Sequence, residues 1–182
     1  MNDLLDYPKI ARIPYGQRVG KRYLTEAEVC TLLNGTVVVE EKLDGKTIPQ
    51  QHDRYTIFGE HLKWVHSTYY DRLPAWFIAF DVWDNQTRTF LPCKEKTAII
   101  TSLGYTPVHL IYTGRVNTVD ELVAMTGRSA YGNTLMEGVV VKNYNKQLFG
   151  KLVRIEFTTG ITEHWIKKPK RMNRILTTSS HD

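Results

Sequence analysis

The stretch Val37-Val38-Val39-Glu40-Glu41-Lys42-Leu43-Asp44-Gly45 joins an apolar run to a glycine turn. The valines predict a buried β-strand, and a glycine at its end lets a ligand approach the backbone closely. Lys42 lies at this junction, where the scaffold would hold its amine in place. A lysine placed in this way is a candidate nucleophile for covalent catalysis.

The whole chain has the size and composition of one globular domain. Its 182 residues are 42% hydrophobic, which is enough for a sizeable core. We find no apolar run near the ~20 residues needed to span a bilayer, and residues 1–6 lack the pattern of a signal peptide. Cys30 and Cys93 lie far apart without metal-ligand spacing, so we expect free thiols, a cytoplasmic location and no membrane partner.

Positive charge is concentrated near the C-terminus. The net charge is +5, and residues 163–182 contain five basic and two acidic residues, which supply +3 of that total. Such a segment can attract polyphosphate in a salt-dependent manner, and a solvated terminus explains the charge equally well. We expect a main domain at residues 1–165 and a basic tail at residues 166–182.

Capping and turn signals predict three helices. Capping boxes begin the first at Thr25 and the second at Thr118, and the third follows Pro92 and ends near Gly104. β-rich runs lie at residues 36–40, 55–58, 76–83, 108–112, 138–141 and 151–157. Because the helices are too few and too irregularly placed for a doubly wound parallel sheet, we predict an α+β fold with mixed, mainly antiparallel sheets and packed helices.

Later stretches contain residue types suited to nucleotide binding. The glutamate of Gly59-Glu60 suits a ligand hydroxyl, and Phe77 or Phe80 could stack on a purine, a contact worth ~1–3 kcal/mol. Turn chemistry is the competing explanation for Gly59-Glu60, and core packing, the commoner role of an aromatic in an apolar strand, is the competing explanation for Phe77 and Phe80.

A carboxylate and a lysine mark the two ends of Glu137-Gly138-Val139-Val140-Val141-Lys142, and Lys151 lies in a further β run. Side chains alternate between the two faces of a strand, so this carboxylate and lysine share a face only through a twist, a bulge or a strand end. A core strand with charged ends is the competing explanation.

Taken in order, these stretches resemble the motif succession of the covalent nucleotidyltransferase superfamily. The chain most resembles the ATP-dependent RNA ligases of the phage RNA ligase 2 type, through Tyr7-Pro8-Lys9-Ile10 and residues 59–82 as well as the motifs above. The resemblance spans residues 7–165. It implies an ATP-grasp-like nucleotidyltransferase domain of the ligase type.

This resemblance implies an ATP-dependent RNA ligase of phage or bacterial type that acts in RNA repair. A lysyl-AMP would form at Lys42, AMP would pass to a 5′-phosphate, and a 3′-hydroxyl would displace it, with Mg²⁺ or Mn²⁺ as the metal. The partner is a nucleic acid, with RNA favoured. A minimal DNA ligase remains an alternative, as does a self-adenylylating nucleotide- or RNA-binding module that needs a partner to seal ends.

The resemblance also implies roles for individual residues. Lys42 is the nucleophile, Glu137 holds the metal, and Glu60 binds ribose hydroxyls. Phe80 stacks on adenine, with Phe77 as its competitor. The other nucleotide-binding residues are Glu41 at the adenine edge, Asp44 as the group that orients the lysine or a metal-bound water, Gly45 in the turn, and Lys142 and Lys151 at the triphosphate. Free lysine has a pKa of ~10.4, and we expect these two lysines and the metal to lower the pKa of the nucleophile.

Two features depart from the family pattern. Lys151-Leu152-Val153 stands where the family usually has lysine-x-lysine, so Arg154 or the tail residues Lys167 and Lys168 are candidates for the second cation. Fewer than 30 residues follow Arg154. We therefore expect no separate OB-fold or helical C-terminal domain, and a partner protein could supply one.

Overall fold

The computed structural model describes residues 6–16, 21–154 and 171–176, and within these ranges the chain forms two β-sheets and three helices. The helices are α1 (Glu26–Leu33), α2 (Cys93–Ser102) and α3 (Val119–Ala124). The strands are β1 (Ala11–Arg12), β2 (Thr36–Glu41), β3 (Lys46–Gln51), β4 (Tyr55–His61), β5 (Phe77–Asp84), β6 (Thr89–Phe90), β7 (Thr106–Pro107), β8 (Leu110–Arg115), β9 (Gly138–Asn143) and β10 (Leu148–Val153).

The first sheet has the order β1-β10-β9-β2-β8, and all its pairings except β1 with β10 are antiparallel. Alternate valines of β2 and β9 point to one face of this sheet, where they pack with Leu32 of α1 in the larger hydrophobic core. The opposite face of β2 and β9 carries Glu40 and Lys142, both almost fully buried. Strand alternation therefore separates an apolar face from a charged one.

The second sheet has the order β3-β4-β5-β6, with β7 parallel to β5. Gly59 pairs with Ala79 and Phe58 with Asp81, so Phe80 is an extra residue in β5 relative to β4. Such a bulge redirects a side chain and frees a backbone carbonyl from the strand ladder. Both effects matter at the site described below.

The predicted α+β class with mainly antiparallel sheets is confirmed, and so are the three helices. The capping box at Thr25 is complete. At Thr118 only half of the predicted box forms, because the Glu121 carboxylate accepts from the Asn117 N–H instead. No helix in the described part of the chain is long and apolar enough to cross a membrane.

Several strand boundaries differ from the prediction, and one strand was missed. β10 begins at Leu148 rather than at residue 151, and residues 155–157 lie outside the described part. β8 begins at Leu110, two residues later than predicted. The sequence pattern did not indicate β3, because this exposed edge strand is mostly polar and contains Pro49.

The tail is described only at residues 171–176, and these lie along residues 62–73 through backbone pairs. Lys167 and Lys168 lie outside the described residues. The division of the chain at residue 165 stays a prediction.

Candidate active site

A cleft of about 420 Å³ lies where the two sheets meet, at the end of β2. This volume falls in the usual range for small-molecule sites. Eight of the nine residues predicted from the sequence line the cleft: Glu41, Lys42, Asp44, Gly45, Glu60, Phe80, Lys142 and Lys151. The ninth, Glu137, forms an ion pair with Lys42. The structure therefore brings the predicted residues together.

Lys42 is the first residue after β2, and its backbone N–H donates to the Gly138 carbonyl at 3.0 Å. Its side chain is 19% exposed, and its ammonium contacts the Glu137 carboxylate directly. Glu137 immediately precedes β9, so it lies at a strand end, and its partner there is Lys42 rather than Lys142. Burial raises the pKa of Glu137, whereas the charge of Lys42 opposes that rise.

Glu60 lines the cleft, and its two carboxylate oxygens have different surroundings. Its Oε1 accepts a hydrogen bond from the Thr47 hydroxyl at 2.7 Å, while Oε2 is buried and has no partner among the described residues. Burial raises the pKa of Glu60 to about 7. A buried acceptor without a donor is costly, so a ligand hydroxyl placed here would satisfy it.

Asp44 holds the backbone of the loop that contains Ser67 and Thr68. Its Oδ2 accepts from the backbone N–H groups of Ser67 and Thr68 at 2.6 and 2.7 Å. Its own N–H donates to the Tyr70 hydroxyl oxygen at 3.0 Å.

Gly45 is required by close packing rather than by a turn with positive φ. A Cβ at this position would lie 2.6 Å from Leu62 Cδ2 and 2.9 Å from the His61 carbonyl oxygen.

The Glu41 carboxylate is buried and already has two donors. It accepts from the Ser129 hydroxyl at 2.5 Å and from the Ala130 N–H at 2.9 Å. Burial raises the pKa of Glu41, and these hydrogen bonds oppose the rise. Its predicted role at the adenine edge stays a prediction, and its observed contacts tie the end of β2 to the segment after α3.

The two aromatic candidates have different surroundings. Phe80 lines the cleft, and its ring meets Tyr7 edge-on with centroids 4.8 Å apart. Phe77 packs against Tyr105 with centroids 5.3 Å apart, and it also lies against Gly59. Of the two, Phe80 is the one that lines the cleft, and its stacking on a base stays a prediction.

Lys142 is embedded in protein contacts. Its ammonium donates to Glu40 at 2.7 Å and to the Phe80 carbonyl at 2.9 Å, and it lies 2.8 Å from Asp81. An ammonium has three donors, so each has a protein acceptor here. The two carboxylates hold the pKa of Lys142 above its usual value despite burial. Lys151 is half-buried, and burial followed by the charge of Lys42 lowers its pKa.

The sequence prediction assigned no role to the other members of this buried cluster. Lys96 of α2 forms an ion pair with Glu40, donates to the Phe80 carbonyl at 2.6 Å and lies 3.7 Å from Asp81. The hydroxyls of Tyr7 and Tyr144 donate to the two oxygens of Asp81. We call this set the buried ion cluster: Glu40, Asp81, Lys96, Lys142, Tyr7 and Tyr144. Its two carboxylates and two ammonium groups balance each other beneath the cleft.

Across the described ranges, no three His, Cys, Asp or Glu side chains converge on a point that could hold a metal ion. Mg²⁺ and Mn²⁺ at phosphate-transfer sites are commonly held by one or two carboxylates and by substrate phosphates. Glu137, next to Lys42, fits that type of donor set but not an all-protein metal cage.

A cleft between two mainly antiparallel sheets, with a lysine amine at the end of a strand, is typical of the covalent nucleotidyltransferase class. The family model described as RNA ligase matches residues 46–167, which is more than half of the chain. The chain therefore belongs to the RNA ligase family. The matched range begins four residues after Lys42, so it covers Glu60, Phe80 and Glu137 but not the lysine itself.

Solved structures share the fold. Naegleria gruberi RNA ligase with PPi superposes with a TM-score of 0.62 at 15% identity, covering 88% of this chain and 62% of that one. A mutant of the same ligase with ATP and Mn gives a TM-score of 0.58 at 15% identity, covering 75% of this chain and 55% of that one. The chain thus spans between half and two thirds of the length of these ligases. Comparison with curated protein sequences finds no match.

Proposed function

We propose that this protein is an ATP-dependent RNA ligase that works through a lysyl-AMP at Lys42. The observation that carries the proposal is the position of the Lys42 amine, which is paired with Glu137 at a nucleotide-sized cleft. In the first step the amine loses a proton and its lone pair forms a bond to the α-phosphorus of ATP. The α–β phosphoanhydride bond breaks, and pyrophosphate leaves with the electron pair.

The residues around the amine support this step. Glu137 holds the ammonium in place before reaction and is the nearest carboxylate to its protons. Half-buried Lys151 adds positive charge beside Lys42 at the cleft. A divalent cation bound by Glu137 and phosphate oxygens would stabilise the charge on the phosphates and compete with the ammonium for the carboxylate.

The remaining roles follow from the lining of the cleft. Oε2 of Glu60 accepts a ribose hydroxyl, since it is buried beside the cleft and lacks a donor among the described residues. Phe80 stacks on the adenine. Because the acceptors around the Lys142 ammonium are all protein groups, we assign Lys142 to the support of Phe80 and keep Lys151 as the phosphate contact.

Relatives of similar fold support the choice of cofactor and substrate. Among the Naegleria gruberi ligase structures, one mutant is with ATP and Mn and another is with AMP and Mn. We therefore propose ATP and a divalent metal here, and nucleic acid with a 5′-phosphate and a 3′-hydroxyl as the substrate, with RNA preferred over DNA. In the later steps the nucleic-acid phosphate displaces Lys42 from AMP, and the 3′-hydroxyl then displaces AMP.

The first step is tested by measuring covalent adduct formation. We expect incubation with ATP and Mg²⁺ or Mn²⁺ to add one AMP, mapped to Lys42 by peptide mass spectrometry. Lys42→Ala should abolish the adduct, whereas Lys46→Ala, at an exposed lysine on β3, should retain it. Circular dichroism checks that both variants are folded. An adduct that persists in Lys42→Ala would contradict the proposal.

A second candidate is a self-adenylylating module that needs a partner to join ends. This chain covers 62% of the length of the Naegleria gruberi ligase with PPi. Nicked RNA and nicked DNA duplexes separate the candidates. Sealing of RNA in preference to DNA supports the ligase, whereas adduct formation without sealing of either supports the module.

A further inference from the structure

Residues 171–176, which we call the C-terminal strap, lie along the segment that contains the loop bound by Asp44. Five backbone hydrogen bonds of 2.7–3.0 Å join the strap to Lys63, Val65, Tyr70 and Leu73. The Arg171 guanidinium also lies over the Tyr69 ring, 3.7 Å from its centroid. The strap is therefore an integrated edge of the structure rather than a solvated end.

Asn173 is the buried centre of the strap, with 2% of its surface exposed. Its side-chain oxygen accepts from the Tyr70 N–H at 2.8 Å, and its side-chain nitrogen donates to the Leu62 carbonyl at 2.7 Å. It thus satisfies one backbone group on each side of the loop formed by residues 63–69. Loss of this side chain would leave two buried backbone groups without partners, which is costly.

Tyr70 connects this asparagine to the active-site motif. Its backbone is held by the strap through Asn173 and through the Arg174 N–H, which donates to the Tyr70 carbonyl at 2.9 Å. Its hydroxyl oxygen accepts the Asp44 N–H. The Ser67 and Thr68 amides, in the same loop, bind the Asp44 carboxylate. Asp44 lies two residues after Lys42. Two hydrogen bonds in series, between Asn173 and Tyr70 and between Tyr70 and Asp44, therefore connect the strap to the lysine motif.

We propose that Asn173 is a positioning residue for the adenylylation site, acting through Tyr70 and the residue 67–68 amides on Asp44. The proposal rests on the proposed function for its effect on the reaction, but its structural part does not. An active-site carboxylate needs its orientation fixed by surrounding hydrogen bonds, and a small displacement there has a large effect on rate. Asn173 supplies this support from a segment more than 120 residues away in sequence.

The matched control is Asn143. This asparagine is 1% exposed, and its side-chain nitrogen donates to the Leu32 and Asn34 carbonyls. Its replacement by alanine therefore removes buried hydrogen bonds comparable to those of Asn173, but away from the loop of residues 63–69. Asn173→Ala and Asn143→Ala should therefore destabilise the protein similarly. Tyr70→Phe is a milder second variant, because it removes only the hydroxyl that accepts the Asp44 N–H and keeps the buried ring.

Amide hydrogen exchange tests the structural part without any chemistry. We expect Asn173→Ala to speed exchange at the Ser67 and Thr68 amides about tenfold more than Asn143→Ala does. Unchanged exchange at these amides overturns the proposal. Because this measurement needs no ATP, it decides the structural claim even if the wild-type protein forms no adduct, an outcome that would instead contradict the proposed function.

Single-turnover adduct formation at saturating ATP tests the functional part. We expect Asn173→Ala and Tyr70→Phe to slow the reaction about tenfold, and Asn143→Ala to leave it within about twofold of the wild type. Asp44→Asn should slow the reaction too, and adding Asn173→Ala to it should cause no further loss, because both changes remove the same arrangement. Multiplicative losses in the double variant, or equal losses in Asn173→Ala and Asn143→Ala, would overturn the positioning role.

Discussion

At the scale of single residues, Glu60 combines a structural cost with a proposed binding function. The same burial that leaves Oε2 without a donor among the described residues raises the pKa of this carboxyl to about 7. Near neutral pH the folded protein therefore holds Glu60 partly protonated, while the unfolded chain holds it ionised. A ligand hydroxyl that donates to Oε2 would favour the ionised form.

Glu60→Gln should remove a pH-dependent loss of stability. The folded-state pKa of Glu60 is raised, so its neutral form stabilises the fold at low pH, and that contribution is lost as pH rises through about 7. The loss amounts to at most about 3 kcal/mol in the free energy of unfolding. Urea denaturation should show wild type and variant diverging between pH 5 and pH 8, with the variant the more stable at pH 8. Glu95→Gln, at an exposed glutamate of α2, serves as the control, and parallel pH curves for wild type and Glu60→Gln would contradict the expectation.

Single residues also mark how far the sequence could predict the site. Lys42, Glu60 and Glu137 were found because each belongs to a short motif with a required chemistry. Glu40 and Lys96 belong to no such motif, and an isolated glutamate or lysine ordinarily indicates an exposed position. Their pairing links a strand and a helix 56 positions apart, so their burial becomes evident only from the three-dimensional structure.

At the scale of elements, the bulge in β5 gives the buried ion cluster its geometry. Phe80 is the extra residue of β5 relative to β4, and its carbonyl accepts from both Lys96 and Lys142. The ring of the same residue lines the cleft. The bulge therefore places one residue, Phe80, in contact with both ammonium groups through its carbonyl and with the cleft through its ring. Strand alternation alone did not indicate this arrangement.

Lys96→Met should destabilise the protein strongly. It would leave Glu40 and Asp81 with Lys142 as their one remaining ammonium partner in the buried ion cluster, and removing one member of a buried ion pair costs about 3–5 kcal/mol. Chemical denaturation should show this loss, and Lys94→Met, at an exposed lysine of the same helix, should change stability little. Restoring charge balance in Glu40→Gln/Lys96→Met should recover part of the loss. Equal stability of Lys96→Met and Lys94→Met would refute the role assigned to the cluster.

The strands and helices also show which parts of the fold the sequence pattern could predict and which it could not. The valine-rich strands β2 and β9 and the capped helix α1 were predicted because local signals and core packing agree. β3 was missed, since its hydrogen bonds to β4 rather than its own residues make it a strand. The strap was missed for the same reason, because Asn173 is fixed by Leu62 and Tyr70 and not by its neighbours in sequence.

At the scale of the whole molecule, the buried ion cluster joins the two sheets into one unit. Glu40 and Lys142 belong to the first sheet, Asp81 to the second, and Lys96 to the helix beside it. The cleft has lining residues from both sheets as well. A ligand bound in the cleft would contact both sheets. Ligand binding and the buried ion cluster should therefore both stabilise the arrangement in which the two sheets are packed together.

Native-state hydrogen exchange should therefore show the two sheets opening together. We expect the slowest amides of β9 and of β4 to report the same free energy of opening, because separating the sheets would expose the ion cluster. ATP should raise both values equally, by about 2.7 kcal/mol at a concentration one hundred times the dissociation constant. In Lys96→Met both values should fall, because the cluster loses one of its two ammonium groups while Lys142 still pairs Glu40 of the first sheet with Asp81 of the second, whereas Lys94→Met should leave both values unchanged. Protection of only one sheet by ATP would show that the cleft belongs to that sheet alone, which would contradict a site shared between them.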